Sequence, residues 1–210
     1  MEEGQISSET ESLTGGETPS GFITLYRANG YRYWKRDADE IVKLVSQFSD
    51  QAFTAGLGLQ GEAMFDAALP TVGFLPTGRK VTSYNGKEWT ESKHDLDRVF
   101  ERDGIAYGTE IKNTLGYIEK VELKTKIKMW QKLGLRPLFI MRGSPKSYNN
   151  LIREVGGFAL IFKFQLYPYG QKAFADEVRR RLELPTDCPA RIADGTMQRF
   201  LKWHLGTLKR

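Results

Sequence analysis

The stretch from His94 to Thr114 leaves the chain few ways to fold, because two runs of strand-forming residues meet at Asp103-Gly104, a pair that favours a tight hairpin turn. Side chains alternate along a strand, so Ile105, Tyr107, Thr109 and Ile111 share one side, and Ala106, Gly108, Glu110 and Lys112 the other. An acid and a lysine therefore point the same way, behind two small residues that predict a groove-like approach. The partner strand brings a second acid, Asp97, beside them. Two carboxylates can hold a divalent cation, and an ammonium next to them can orient water against a phosphate. The plain alternative is a surface hairpin in which Lys112 makes a solvated ion pair with Glu110 or Asp97, worth about 0–1 kcal/mol.

The chain holds three acid-x-Lys triplets: Glu91-Ser92-Lys93, Glu110-Ile111-Lys112 and Glu122-Leu123-Lys124. Only the second ends an alternating strand behind a hairpin partner that carries an acid. In that setting, Asp97, twelve residues and then Glu110-Ile111-Lys112 resemble the core of the PD-(D/E)XK nuclease superfamily, across roughly residues 55–166. The resemblance implies an α/β fold of the restriction-endonuclease-like kind, a mixed central sheet flanked by helices with core order α-β-β-β-α-β. It implies a Mg²⁺-dependent (or Mn²⁺-dependent) deoxyribonuclease that hydrolyses DNA phosphodiester bonds. Asp97 and Glu110 would be metal ligands with the carbonyl of Ile111 as a third, and Lys112 would orient the attacking water and the phosphate. Asp95, two residues from Asp97, is an alternative ligand or an assistant.

Glu62, on the helix before the sheet, matches a position that supports a second metal in many members; an ordinary exposed helix glutamate is the other reading. On the helix after the motif, Leu123, Ile127, Trp130 and Leu133 form one packing arc. Lys120, Lys124, Lys128 and Gln131 lie on a neighbouring one. Gln131 is a candidate contact to water or phosphate by resemblance, and the lysine row is either a nucleic-acid surface or a solvated face. Asn113, Arg142 and Lys146 are further candidate phosphate contacts. The alternative is a nuclease-fold subunit, weak or inactive in catalysis, that binds nucleic acid within a larger complex. The expected partner is duplex or branched DNA, with a homodimer or partner subunits of a DNA-processing complex as the expected assemblies.

Charge agrees with a polyanionic partner. Residues 1–21 hold five glutamates and no Lys or Arg, so taking that −5 from the whole-chain +5 leaves +10 on residues 22–210. The carboxy-terminal region adds Arg179, Arg180, Arg181, Arg191, Arg199, Lys202, Lys209 and Arg210. No run of about 18 apolar residues offers a membrane span, and an acidic, polar amino terminus is not expected to act as a secretory signal. A single cysteine, Cys188, permits no intramolecular disulfide, which with the rest predicts a reducing cytoplasmic setting. Neither His94 nor His204 has a histidine partner at ligand spacing. No GxxxxGK[ST] phosphate loop is present.

The expected organisation is a disordered acidic leader (1–21), an amino-terminal hairpin and helix packed on the core (22–55), the nuclease core (56–168) and basic carboxy-terminal helices packed on it (169–210). The hairpin would turn at Asn29-Gly30, with Phe22, Tyr26, Tyr31, Tyr33 and Trp34 packed on the core or, alternatively, stacked on bases. Asp37 or Asp39 would cap a helix to about Phe53, and a short helix would stop before Pro70. Asn85-Gly86 marks a hairpin. Strands at 95–102 and 105–113, a helix at 118–133, a strand at 136–141, a helix to Val155 and a strand at 158–166 follow. Helices near 171–183 and 195–206 complete the pattern.

Overall fold

The computed structural model describes residues 10–13, 16–19, 21–28 and 30–209, which fall into two compact units, one ending at Gly56 and one beginning at Leu57. In the first unit, β1 (Thr10–Leu13) pairs antiparallel with β4 (Leu25–Ala28), and β2 (Glu17–Thr18) pairs with β3 (Gly21–Phe22). The expected leader thus supplies strands at 10–13 and 17–18, while its residues 1–9, 14, 15 and 20 lie outside the described residues. The expected hairpin partner of Leu25–Ala28 lies upstream rather than downstream. Asn29 is outside the described residues, and residues 30–33 lead directly into α1 (Trp34–Phe48). That helix starts earlier than Asp37, which falls in its first turn, where a carboxylate suits the helix dipole.

The second helix, α2 (Gln51–Thr71), runs unbroken through Gly56-Leu-Gly58 and includes Pro70 in its last turn. Leu57, Phe65 and Leu69 are fully buried, so burial of that apolar face outweighs the cost of glycine in a helix, about 1 kcal/mol each.

The central sheet is built from β5 (Leu75–Val81), β8 (Leu96–Arg102), β9 (Ile105–Lys112), β10 (Arg136–Met141) and β11 (Phe158–Ile161), with β6 (Ser83–Tyr84) and β7 (Lys87–Glu88) forming a separate hairpin at Asn85-Gly86. Its strand order is β11-β10-β9-β8-β5. Strands β5, β8 and β9 are antiparallel neighbours, whereas β9, β10 and β11 run parallel. Asp103 and Gly104 turn β8 into β9 with φ of 52° and 72°, both in the left-handed region that a two-residue hairpin needs. Parallel neighbours require crossovers, here α3 (Lys120–Leu133) and α4 (Lys146–Glu154). The last apolar run does not continue to Leu166: the chain turns at Lys163, φ 66°, and β12 (Gln165–Leu166) pairs with β13 (Thr186–Asp187) instead. Helices α5 (Lys172–Leu182) and α6 (Asp194–Thr207) complete the unit. This is an α/β architecture with a mixed five-stranded sheet flanked by helices.

Two apolar clusters cover the two faces of the sheet. One joins Met64, Phe65 and Leu69 of α2 and Phe200 of α6 to Phe100, Tyr107 and Ile111. The other joins Leu123, Met129 and Trp130 of α3 and Ile152 of α4 to Val99 and Phe139. Central strands with both faces covered read as continuous apolar runs, as Pro137–Met141 does. On the α6 side, buried His204 bonds the Tyr107 hydroxyl at 2.7 Å through Nδ1 and Asp103 at 2.9 Å through Nε2. It thereby fastens α6 to the turn and to β9. None of the helices among the described residues is long and apolar enough to cross a membrane.

Candidate active site

The carboxyl end of β9 carries Glu110 on the face covered by α3. Gly108, two residues earlier on that face, receives the Trp130 ring: a Cβ on Gly108 would lie 2.5 Å from Trp130 Cδ1 and 2.8 Å from Leu96. The expected groove behind Ala106 and Gly108 is therefore absent, because the small residues make room for a tryptophan rather than for substrate. That seating has a geometric result. Four helical residues rise about 6 Å and two strand residues about 6.6 Å, so Trp130 on Gly108 brings Lys126 onto Glu110.

Lys126 is buried, and its Nζ stands 2.6 Å from Glu110 Oε2 and bonds the carbonyl of Asp95. Lys112 Nζ lies 3.0 Å from the other oxygen of Glu110 and 2.9 Å from Glu122 of α3. Asp97, at the start of β8, accepts the Ile111 N–H at 2.7 Å. This separates the two aspartates: Asp97 enters with its carboxylate, and Asp95 with its backbone carbonyl.

From the α2 side, Glu62 and Asp66 both hold the buried guanidinium of Arg98, at 2.9 and 2.8 Å, and Arg98 also bonds the carbonyl of Asp97. Five carboxylates (Glu62, Asp66, Asp97, Glu110 and Glu122) thus face three cations (Arg98, Lys112 and Lys126).

The electrostatics follow from burial and from that excess. Burial, then the charge of Glu110, pushes the Asp97 carboxyl up to about 7, against the opposing pull of the Ile111 N–H and Lys126. Burial alone would lower the Lys112 ammonium, but Glu110 and Glu122 outweigh it and hold its pKa above the ordinary lysine value. Lys112 is therefore a fixed cation and not a base. Asp97 is the group that can gain or lose a proton near neutrality.

Among the described residues, no group of three or more His, Cys, Asp or Glu side chains is arranged to hold a metal. Next to the Lys112 ammonium, Asp97 and Glu110 supply carboxylate oxygens, and each oxygen of Glu110 is ion-paired to a lysine. This hard, oxygen-only set fits Mg²⁺, which keeps several waters and needs few protein ligands. The repulsion that raises Asp97 is the kind a divalent cation relieves.

The structure thus brings Asp97, Glu110, Lys112 and Glu62 into one neighbourhood. It does not bring Gln131 there: that residue is exposed on α3, ~140° around the helix from Lys126 at 100° per residue. Lys120, Lys124 and Lys128 are exposed beside it. Ile127, expected in the packing arc, is only partly buried, and Lys126 and Met129 are buried on that side.

Asn113 is buried as well. Its Nδ2 donates to the carbonyls of Leu57 and Leu166, and its Oδ1 accepts the Leu166 N–H. With every polar atom engaged, Asn113 ties α2 to β12 and has nothing left for a phosphate. Gly61, where a Cβ would lie 2.6 Å from Asn113 Cβ, lets α2 approach and carries Glu62 with it.

Arg142 donates to the carbonyls of Thr114 and Leu115, bracing the loop after the motif, and Lys146 is exposed at the start of α4. In the carboxy-terminal region, Arg179 pairs with Asp176, Arg191 with Asp194 and Arg181 with Glu177, while Arg199 bonds the Ile161 carbonyl. Cys188 donates to the Pro168 carbonyl, and burial raises its thiol, so it is not activated. A cleft of about 510 Å³ lined by Phe162, Ile192, Thr196 and Arg199 contains none of the site residues.

Sequence reasoning missed Lys126, Glu122, Arg98 and Asp66. For Lys126 a signal existed: it lies three residues after Leu123 and four before Trp130, inside the apolar arc, where an unpaired lysine is rare. No family model, curated protein or solved structure matches this chain.

Proposed function

We propose that the protein is a metal-dependent nuclease that hydrolyses DNA phosphodiester bonds at the Asp97–Glu110–Lys112 cluster. The observation that carries this reading is a charge arrangement. A carboxyl poised near neutrality, Asp97 at the start of β8, stands with a buried carboxylate, Glu110 near the end of β9, and with two held ammonium groups, Lys112 of β9 and Lys126 of α3. A structural ion pair needs only one cation for Glu110 and no second acid beside it. The order of α2, the antiparallel strands β5, β8 and β9, the crossover α3 and the parallel strand β10 adds support, as does the +10 charge of residues 22–210.

In this reading Asp97, Glu110 and the Ile111 carbonyl hold Mg²⁺ or Mn²⁺, which supplies charge relief on the reacting phosphate and activation of water. Lys112, kept protonated by Glu110 and Glu122, donates to the attacking water and to a phosphate oxygen. Lys126 fixes the Glu110 carboxylate from the buried side. Arg98 holds Glu62 beside the site, where its charge acts on Asp97.

One observation favours a second reading, a binding subunit without catalysis: both oxygens of Glu110 are already ion-paired. Cleavage of linear duplex, single-stranded, supercoiled and four-way-junction DNA in Mg²⁺, Mn²⁺ or EDTA decides between them. Metal-dependent cutting that Glu110→Ala and Lys112→Ala both abolish is expected. DNA binding in EDTA with no cutting in either metal would move the function to the second reading.

A further inference from the structure

Both oxygens of Glu110 carry an ammonium, so a divalent cation can reach this carboxylate only by taking the place of one of them. The two lysines are not equally free to give way. Lys126 has a side chain 4% exposed, bonds the Asp95 carbonyl as well as Glu110, and is set in place by the seating of Trp130 on Gly108. Withdrawn from Glu110, it would leave a buried charge without an ionic partner, which is the costly way to break a buried pair. The Lys112 side chain is 31% exposed and stands between two carboxylates, 3.0 Å from Glu110 and 2.9 Å from Glu122. It can let go of Glu110 and still hold an acid. The other carboxylates of the cluster offer it no such place, because Glu62 and Asp66 hold Arg98, and Asp97 is bonded to the Ile111 N–H. Lys112 is the one cation paired with Glu122 among the described residues. Glu122 lies in the first turn of α3, where the helix dipole favours a carboxylate.

We infer that Glu122 is a positioning residue, the seat that takes the Lys112 ammonium when a divalent cation binds Glu110. The Glu110 oxygen Oε1 then passes from Lys112 to the cation, while Oε2 stays with Lys126. The inference rests on the metal-dependent reading and adds to it a way past the two ion pairs on Glu110. Lys112 and the cation compete for the same oxygen, and Glu122 weakens the hold of the lysine on it. Deprived of Glu122, Lys112 would have Glu110 as its one acid and would resist the cation more strongly. The coupling between Glu122 and the metal therefore runs through Lys112. It differs in this from the general attraction that any nearby carboxylate exerts on a cation.

The test measures the affinity of the full chain for Mn²⁺, without DNA, by isothermal titration calorimetry at about 0.15 M salt, where the field of an exposed carboxylate is partly screened. Wild type runs beside Glu122→Gln, Lys112→Met and the double variant. Glu122→Gln, which keeps the size of the side chain, is expected to weaken Mn²⁺ binding about tenfold, and Lys112→Met to tighten it by a similar factor. Once Lys112→Met is present, Glu122→Gln is expected to change the affinity about twofold at most, because no ammonium is left to seat. Glu122→Asp keeps the charge but draws it back by one methylene, and it is expected to weaken binding as Glu122→Gln does. That variant tests the seat without altering Lys112. Equal weakening by Glu122→Gln with and without Lys112→Met would overturn the inference, since Glu122 would then act by its charge alone. Wild-type affinity in Glu122→Gln or Glu122→Asp would overturn it as well. No Mn²⁺ binding by any of these proteins would overturn the metal-dependent reading itself.

Discussion

Replacing Asp97 with asparagine should make the metal-free protein more stable, and by an amount that depends on pH in a defined way. The asparagine oxygen can still accept the Ile111 N–H that Asp97 accepts at 2.7 Å, so the substitution removes the charge and keeps the bond. The carboxyl stands at about 7 in the fold against an ordinary value of 3.8, a gap worth about 4 kcal/mol at ~1.4 kcal/mol per pH unit. Because the folded value is the higher one, the native state holds the proton more tightly than the unfolded chain. Below about pH 4 both states are protonated and nothing is lost. Between about pH 4 and pH 7 the unfolded chain releases its proton while the folded one keeps it, so wild-type stability falls as pH rises. Above about pH 7 both have released it, and the full loss of about 4 kcal/mol stands. Urea unfolding in EDTA, followed by tryptophan fluorescence, measures the difference between Asp97→Asn and wild type. Its advantage should grow by roughly 3 kcal/mol between about pH 5 and pH 8. Stability curves that stay parallel across that range would refute the placement of Asp97 in a buried site beside an ionised Glu110.

Two further outcomes test the packing around the same residues. Lys126→Met should destabilise the protein by about 3–5 kcal/mol, since Glu110 would keep only the half-buried Lys112. Adding Glu110→Gln should recover much of that loss, and a double-mutant cycle by chemical denaturation measures the coupling. Gly108→Ala, which sets a methyl 2.5 Å from the buried Trp130 ring, should cost about 1–3 kcal/mol, read as a lowered thermal midpoint. Because α3 would be pushed away from β9, the same change should also alter the fluorescence of Trp130.

The local signals in the sequence were strong where residues close in the chain decide the structure. Asp103-Gly104 and Asn85-Gly86 announce their turns, and the alternation after Gly104 separates Tyr107 and Ile111 from Glu110 and Lys112 in the way the sheet does. Where distant residues decide, the same reasoning went astray. Gly108 reads as an opening until Trp130, twenty-two residues later, fills it. Gly56 and Gly58 read as a break until the burial of Leu57 carries α2 across them. Phe22, Tyr31 and Tyr33 read as core by composition, yet they stand in solvent. The acids and Lys112 were legible because a strand fixes their side by parity alone. Lys126, Arg98 and Asp66 were not, because their roles exist only once α2 and α3 have been laid against the sheet.

The link from Asp103 and Tyr107 to His204 also orders events in time. It joins residues 101 and 97 positions apart in sequence, whereas β8 and β9 close through a two-residue turn. Nearby pairings form early and distant ones late, since a long loop must be closed before its contacts reward it. During synthesis the hairpin that carries Asp97 and Glu110 leaves the ribosome well before α6 does. Until α6 docks, Phe74 and Tyr107 lack the Phe200 ring that later stacks at 4.4 Å on the first and meets the second edge-on at 5.2 Å. The nascent chain therefore passes through a stage in which its carboxylate cluster can assemble while one side of the sheet remains bare. In that interval it is most exposed to aggregation and most in need of a chaperone.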